Sequence, residues 1–203
     1  YNPVLSFEIT PADISGAAVN AESAVYCGGA LTPAVSVELN GKRLKKDVDY
    51  TVSYKNNIYA GSGVAVITGK GNYAGAAEGT FVIEKAVLGV RLGETNVEYN
   101  GKVQGVQVFL EGLIGDDKAE VTVTYTKDGA PVANPVDAGT YIAVITIDHP
   151  NYKFSAVKEK YFTVNPKKLS VIWSGGNFAY DGREHFPSAH IVTVDGLRVD
   201  LDV

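Results

Sequence analysis

Few side chains in this sequence are placed where they could do chemistry. Cys27 is the single thiol, which rules out an internal disulfide framework and a multi-cysteine metal site; it reads as a small residue in a turn, with a reactive or intermolecular thiol as the alternative. His149, His185 and His190 lie in different segments or five apart in a stretch with no helical pattern, so zinc spacing is missing. Asp116-Asp117 and the pair Asp47 and Asp49 offer carboxylates to a hard cation, but without the dense oxygen spacing of a calcium loop; they are expected to be solvated turn charges. Gly69-Lys70-Gly71-Asn72-Tyr73-Ala74-Gly75 imitates part of a phosphate-binding loop and follows the apolar run Val64–Ile67. No helix pattern follows it, and without a helix N-terminus the amides that hold phosphate are missing, so a turn is expected.

The aromatic residues Tyr54, Tyr59, Tyr73, Tyr125, Tyr141 and Tyr152 could stack on sugars, yet most recur at matching positions and therefore read as parts of the fold. Tyr59 has no matching partner and is the better candidate for ligand contact. Trp173, the only Trp, sits in a strand-like run; packing is its main expected use and ligand contact the second. No catalytic residues, cofactor site or metal site are assigned: the sequence holds no Gly-x-Ser-x-Gly elbow, metal-binding helix or competent phosphate loop, and the chain is read as a non-enzyme.

Composition narrows the partners further. The 203 residues carry 18 Lys and Arg against 23 Asp and Glu, a net charge of -5, and so no cationic excess for phosphate backbones; nucleic acid is not an expected partner. No run approaches the roughly 18 to 20 apolar residues that cross a bilayer, and the first ten residues lack the build of a signal peptide. Membrane insertion is not expected of this segment, and any leader or anchor would lie outside it. Twelve Tyr, seven Phe and 22 Gly against no Met, with many Val and Thr, favour strands and tight turns.

What must position these residues is a repeat. Phe7-Glu8-Ile9-Thr10-Pro11-Ala12-Asp13-Ile14 returns as Phe81 to Leu88 and as Phe162 to Leu169, at offsets of 74 and 81 residues, and a Tyr-x-Gly turn follows each time at Tyr26, Tyr99 and Tyr180, at offsets of 73 and 81. Asp49–Tyr54 matches Glu120–Tyr125, Ala60-Gly61 matches Ala138-Gly139, and Asn72-Tyr73 matches Asn151-Tyr152. Inside these pieces the period is 2, with Val121, Val123 and Tyr125 on one face. Asn40-Gly41 and Asp128-Gly129 are hairpin turn pairs. Residues 102–119 are too interrupted by glycine for the helix of a β-grasp fold, so an all-β chain of tandem small Ig-like β-sandwich repeats is expected.

The expected organisation is a terminal strand of a preceding repeat or linker (1–10), a first repeat (11–84), a second (85–166) and the start of a third, truncated repeat (167–203). Half a repeat leaves open strand edges, so 167–203 is expected to fray or to dock on a neighbour. The junctions read Glu84-Lys85-Ala86 and Asn165-Pro166-Lys167-Lys168, without acidic residues for calcium; stiffness is expected from short length and from Pro11 and Pro166.

Asp137-Ala138-Gly139-Thr140-Tyr141, followed by Asn151-Tyr152 and Tyr161-Phe162-Thr163-Val164, resembles the "mostly bacterial Ig-like" (MBG) repeats of bacterial surface proteins. Tyr180-Asp181-Gly182 looks like the start of the related YDG-type repeats. Ile67–Tyr73 with Phe81-Val82-Ile83 is similar to repeats in large secreted proteins of gut anaerobes. The resemblance implies an extracellular, cell-surface location, neighbouring repeats of the same polypeptide as partners, and a spacer, stalk or adhesion role with no catalytic residues. Two further readings stand beside it: a module that binds a host or cell-wall glycan or protein, and accessory repeats of a large secreted enzyme.

Overall fold

The computed structural model describes residues 6–156, 158–193 and 198–199, and all the regular structure in them is β. The first repeat contributes β1 (Ala12–Asp13), β2 (Ala18–Ala21), β3 (Ala24–Val25), β4 (Val35–Leu39), β5 (Lys42–Arg43), β6 (Tyr50–Lys55), β7 (Gly61–Gly69), β8 (Tyr73–Ala74) and β9 (Ala76–Glu84). The second contributes β10 (Ala86–Leu92), β11 (Asn96–Glu98), β12 (Val108–Glu111), β13 (Val121–Lys127), β14 (Ala130–Val132), β15 (Gly139–Ile147), β16 (Tyr152–Phe154) and β17 (Lys158–Asn165). Then come β18 (Leu169–Ser174), β19 (Ser188–Thr193) and β20 (Arg198–Val199). Among the described residues no helix is long and apolar enough to cross a membrane.

Both repeats are built around two β-sheets. The first forms the sheets β3-β9-β7-β6 and β2-β4-β5; the second forms β11-β17-β15-β13-β14 and β12-β10-β16. Alternation puts Ala77, Phe81 and Ile83 of β9 and Phe162 and Val164 of β17 inside, as a period of 2 requires. Ile14, Val37, Leu44, Tyr50 and Ile67 form the buried core of the first repeat; Val106, Tyr125, Tyr141, Ala143 and Phe162 form a buried cluster of the second. Each repeat ties its opening to its end by parallel ladders: β1 with β8 and β3 with β9, then β10 with β16 and β11 with β17.

Turn chemistry sets the register. Asn40 and Gly41 have φ of 50° and 76°, Asp128 and Gly129 50° and 80°, so both loops turn through two positive-φ residues, the type I′ geometry that matches strand twist. They join β4 to β5 and β13 to β14, both antiparallel.

The third position of β7 and β15 shows one fold reached with different residues. Tyr141 donates its hydroxyl to the Asp137 carbonyl at 2.6 Å, the tyrosine corner of an Ig-like sandwich, and its ring packs beside Phe162. The matching residue in β7 is Gly63, where a Cβ would lie 2.3 Å from Phe81 Cζ. Phe81 fills the space that a larger residue would take.

Residues 6–11 carry no strand, and Phe7 and Ile9 are exposed where Phe81 and Ile83 are buried. Phe81 and Phe162 sit on strands laddered to a preceding strand, β7 or β15. Residues 1–5 of the expected terminal strand lie outside the described residues, as do parts of the expected 167–203 segment.

By compactness the chain divides into one unit of Tyr1–Arg91, Leu110–Thr122 and Thr146–Val157 and another of Leu92–Phe109, Val123–Ile145 and Lys158–Val203. The first unit therefore holds the first repeat together with the end of the second that adjoins it.

Candidate functional site: the seam between the repeats

Within the first unit only Lys85 separates β9 from β10, and the apolar core runs across that point. Tyr26, Phe81 and Ile83 of the first repeat are buried in one cluster with Ala86, Leu88 and Tyr152 of the second. Leu110, Leu113, Ile114 and Phe154 pack against the same cluster.

At its centre are two phenols and one carboxylate. Tyr26 is held by its Tyr-x-Gly turn: its N–H bonds the Glu84 carbonyl at 2.9 Å, and Gly28 takes a φ of 80°. Its hydroxyl donates to Asp117 Oδ2 at 2.8 Å. Tyr152, brought in by the parallel pairing of β16 with β10, donates its hydroxyl to the same oxygen at 2.6 Å and accepts the Ile114 N–H at 3.0 Å. The two rings meet edge to face, 5.6 Å apart at 86°, a favourable aromatic geometry.

Both phenols stabilise the ionised carboxylate. Hydrogen bonds from Tyr152 and then Tyr26 hold the Asp117 carboxyl below its ordinary 3.8, against an opposing effect of desolvation. The reciprocal effect appears on the phenols. Tyr26 is pushed up to about 12, first by its bond to Asp117 and then by desolvation, and Tyr152 is raised by burial and then by the same carboxylate.

The Asn-Tyr motif supplies a second set of bonds. Asn151, a buried polar residue, accepts the Ala60 N–H on Oδ1 at 3.1 Å and the Ala86 N–H on its carbonyl at 2.8 Å. Its own N–H donates to His149 Nδ1 at 3.1 Å. Lys85 Nζ reaches the His149 carbonyl at 2.6 Å. These bonds satisfy polar groups that the apolar cluster would otherwise leave stranded.

Asp117 departs from the solvated turn charge expected of it. It is the carboxylate of the seam rather than a solvated turn charge, delivered from the β12–β13 loop and not from the linker. The other expected roles are placed as follows. Asp49 Oδ2 accepts the Lys45 N–H at 2.8 Å ahead of β6. The Gly69–Gly75 segment is the turn from β7 through β8, with Gly71 and Gly75 at φ 67° and 84°. Cys27 is exposed. His149 lies in the seam, whereas His185 Nε2 pairs with Asp181 Oδ1 at 2.7 Å. Among the described residues no three His, Cys, Asp or Glu gather as a metal site. Tyr54 donates to the Pro33 carbonyl at 2.6 Å, Tyr125 accepts the Val106 N–H at 2.8 Å, and Tyr73 accepts Lys42 Nζ at 2.8 Å.

The two ligand-contact candidates fall in different units. Tyr59 is 67% exposed in the β6–β7 loop, where with Asn56, Asn57, Ile58 and Ser62 it lines a cleft of about 390 Å³. Trp173 is 68% exposed on β18.

Residues 89–165, most of the second repeat, match the family model of the MBG domain. Over those residues the chain is similar to an MBG domain. That domain is a repeat module of bacterial surface proteins, in agreement with the resemblance that Asp137–Tyr141, Asn151-Tyr152 and Tyr161–Val164 carry. No curated protein matches the chain.

Proposed function

We propose that the chain is a non-catalytic spacer segment of a bacterial cell-surface protein, working outside the cell, in which MBG repeats 11–84 and 85–166 present an attached part of the protein. The seam is the observation that supports it. A one-residue linker, a shared apolar cluster and a carboxylate clamped by one tyrosine from each repeat leave few free dihedrals where the repeats join. A spacer transmits position through such joints.

Small-angle X-ray scattering in dilute solution tests this reading. A compact globule of this length has a radius of gyration of ~17 Å, whereas repeats arranged end to end give a value above roughly 24 Å by the same scaling. The spacer reading expects the larger value; the smaller one removes it.

The exposed Tyr59 beside Asn56 and Asn57 supports a second reading, a module that binds a host or cell-wall glycan through the β6–β7 loop. An aromatic face with neighbouring amides and a hydroxyl is suited to a sugar ring. Tyr59→Ala should then weaken retention on immobilised cell-wall polysaccharide; unchanged retention would leave the spacer role alone.

A further inference from the structure

The cleft of the β6–β7 loop is held on both flanks by residues distant in sequence. On one flank, the Leu31 N–H donates to the Asn57 carbonyl at 2.8 Å, and Asn57 Nδ2 donates to the Leu31 carbonyl at 2.7 Å. On the other, Asn151 Oδ1 accepts the Ala60 N–H at 3.1 Å, and Ala60 directly follows Tyr59. Asn151 belongs to the second repeat, is buried, and is tied to the start of β10 by the bond from Ala86 N–H to its carbonyl. The backbone on either side of Ile58 and Tyr59 is therefore anchored, while the Tyr59 ring stays exposed.

The second repeat builds the matching region differently. Asp128 and Gly129 close a two-residue hairpin there. Ala138, the match of Ala60, gives its carbonyl to Lys127 Nζ of its own repeat at 3.0 Å. The first repeat's loop is bonded instead to the repeat that follows it.

The lining sets the chemistry. Asn56, Asn57, Ile58, Tyr59, Ala60 and Ser62 bring no charge to the cleft. The adjoining Lys55 is paired with Glu78 at 3.0 Å, and the chain as a whole carries a net charge of -5. A uronate or another anion would be desolvated there with no cation in the lining to offset the cost. A neutral pyranose meets an aromatic face for its C–H groups and amides and a hydroxyl for its own hydroxyls. Because Asn57 Nδ2 is taken by Leu31, Asn57 Oδ1 is left to accept from the sugar.

We propose that this cleft takes a neutral pyranose and is completed by the second repeat, with Asn151 as the positioning residue that holds Tyr59 in place through Ala60. The inference rests on the glycan reading of the β6–β7 loop and adds to it the charge class of the ligand and the dependence on the neighbouring repeat. A loop anchored before binding loses less freedom when the ligand arrives, so releasing Ala60 lowers affinity. The coupling is reciprocal: a sugar seated on Tyr59 strengthens the hold of Asn151 on Ala60.

The test titrates cellohexaose, mannohexaose, chitohexaose and hexagalacturonate into the intact chain and follows the backbone amide signals by NMR. The expected result is saturable shifts at Asn57, Tyr59 and Ala60 with a neutral hexasaccharide, none with hexagalacturonate, and loss of the shifts in Tyr59→Ala. Asn151→Ala should weaken binding roughly tenfold, the change that one lost hydrogen bond brings. It should also speed amide exchange at Ala60 while Ile67 in the core stays protected. Asn151→Asp keeps an accepting oxygen for the Ala60 N–H and should recover most of the affinity. Undiminished affinity in Asn151→Ala, with Tyr59→Ala still inactive, overturns the dependence on the second repeat and leaves the glycan reading standing. Hexagalacturonate binding as tightly as a neutral hexasaccharide overturns the charge class. No shift with any of the four removes the glycan reading and this inference with it.

Discussion

Tyr26 and Tyr180 occupy the same place in the same turn, and their surroundings differ completely. Gly28 and Gly182 have φ of 80° and 77°, so both Tyr-x-Gly turns pass through a positive-φ glycine. Yet Tyr26 is 5% exposed and Tyr180 97%. The turn motif therefore specifies a backbone path and a tyrosine at its start, not the burial of that tyrosine. Burial at Tyr26 comes from parts distant in sequence: the Asp117 carboxylate, the Ile114 side chain and the Tyr152 ring.

The largest test of that difference removes the buried partner. Tyr152→Ala leaves a hole in the shared cluster, and truncating a fully buried aromatic costs about 3–5 kcal/mol. Tyr180→Ala should change stability by less than about 0.5 kcal/mol, as exposed substitutions do. Urea denaturation of both variants, compared with the parent, checks the contrast.

A smaller effect separates the glycines. At Gly182 a Cβ would meet nothing within 4 Å, so Gly182→Ala carries only the backbone strain of a positive φ, about 1–2 kcal/mol. At Gly28 a Cβ would lie 2.9 Å from Ile114 Cγ2, adding an overpacking cost of about 1–3 kcal/mol. Gly28→Ala should be the less stable of the two by thermal unfolding; equal losses would mean that the loop of Ile114 gives way freely.

The smallest effect is a pH dependence. The folded pKa of Asp117 is depressed, so its contribution is present above the unfolded value near 3.8 and is lost as pH falls through the lower folded value. The raised pKa of Tyr26 works in the other direction. Its contribution is present below 10 and is lost as pH rises toward about 12. Asp117→Asn should flatten the acid limb of the stability profile relative to the parent. An unchanged acid limb would mean that other carboxylates dominate it.

The architecture was legible in the sequence because its signals are local. Alternation along Val121–Tyr125, the Asn40-Gly41 and Asp128-Gly129 pairs and the Tyr-x-Gly turns each act within a few residues, and each has the geometry its chemistry requires. The tyrosine corner was carried by Asp137–Tyr141, also a local motif. Asp117 was not legible. It stands in a loop without periodicity, and its two partners are 91 and 35 residues away. The clue was indirect: Tyr26 and Tyr152 belong to repeated motifs, so their hydroxyls had to find partners at a boundary, and Asp116-Asp117 was an acidic pair with no local function. The Phe7–Ile14 motif shows a mixed case: its second half forms β1 against β8, while Phe7 and Ile9 are exposed.

The central claim is that the first and second repeats join through a buried, bonded seam. Native-state hydrogen exchange at Ile114 tests it most directly, because that N–H is bonded to the Tyr152 hydroxyl although it lies in a loop. The account predicts protection approaching that of Ile67 in the core of the first repeat, and loss of that protection in Asp117→Asn. Exchange of Ile114 as fast as the exposed turn at Gly101 would contradict it.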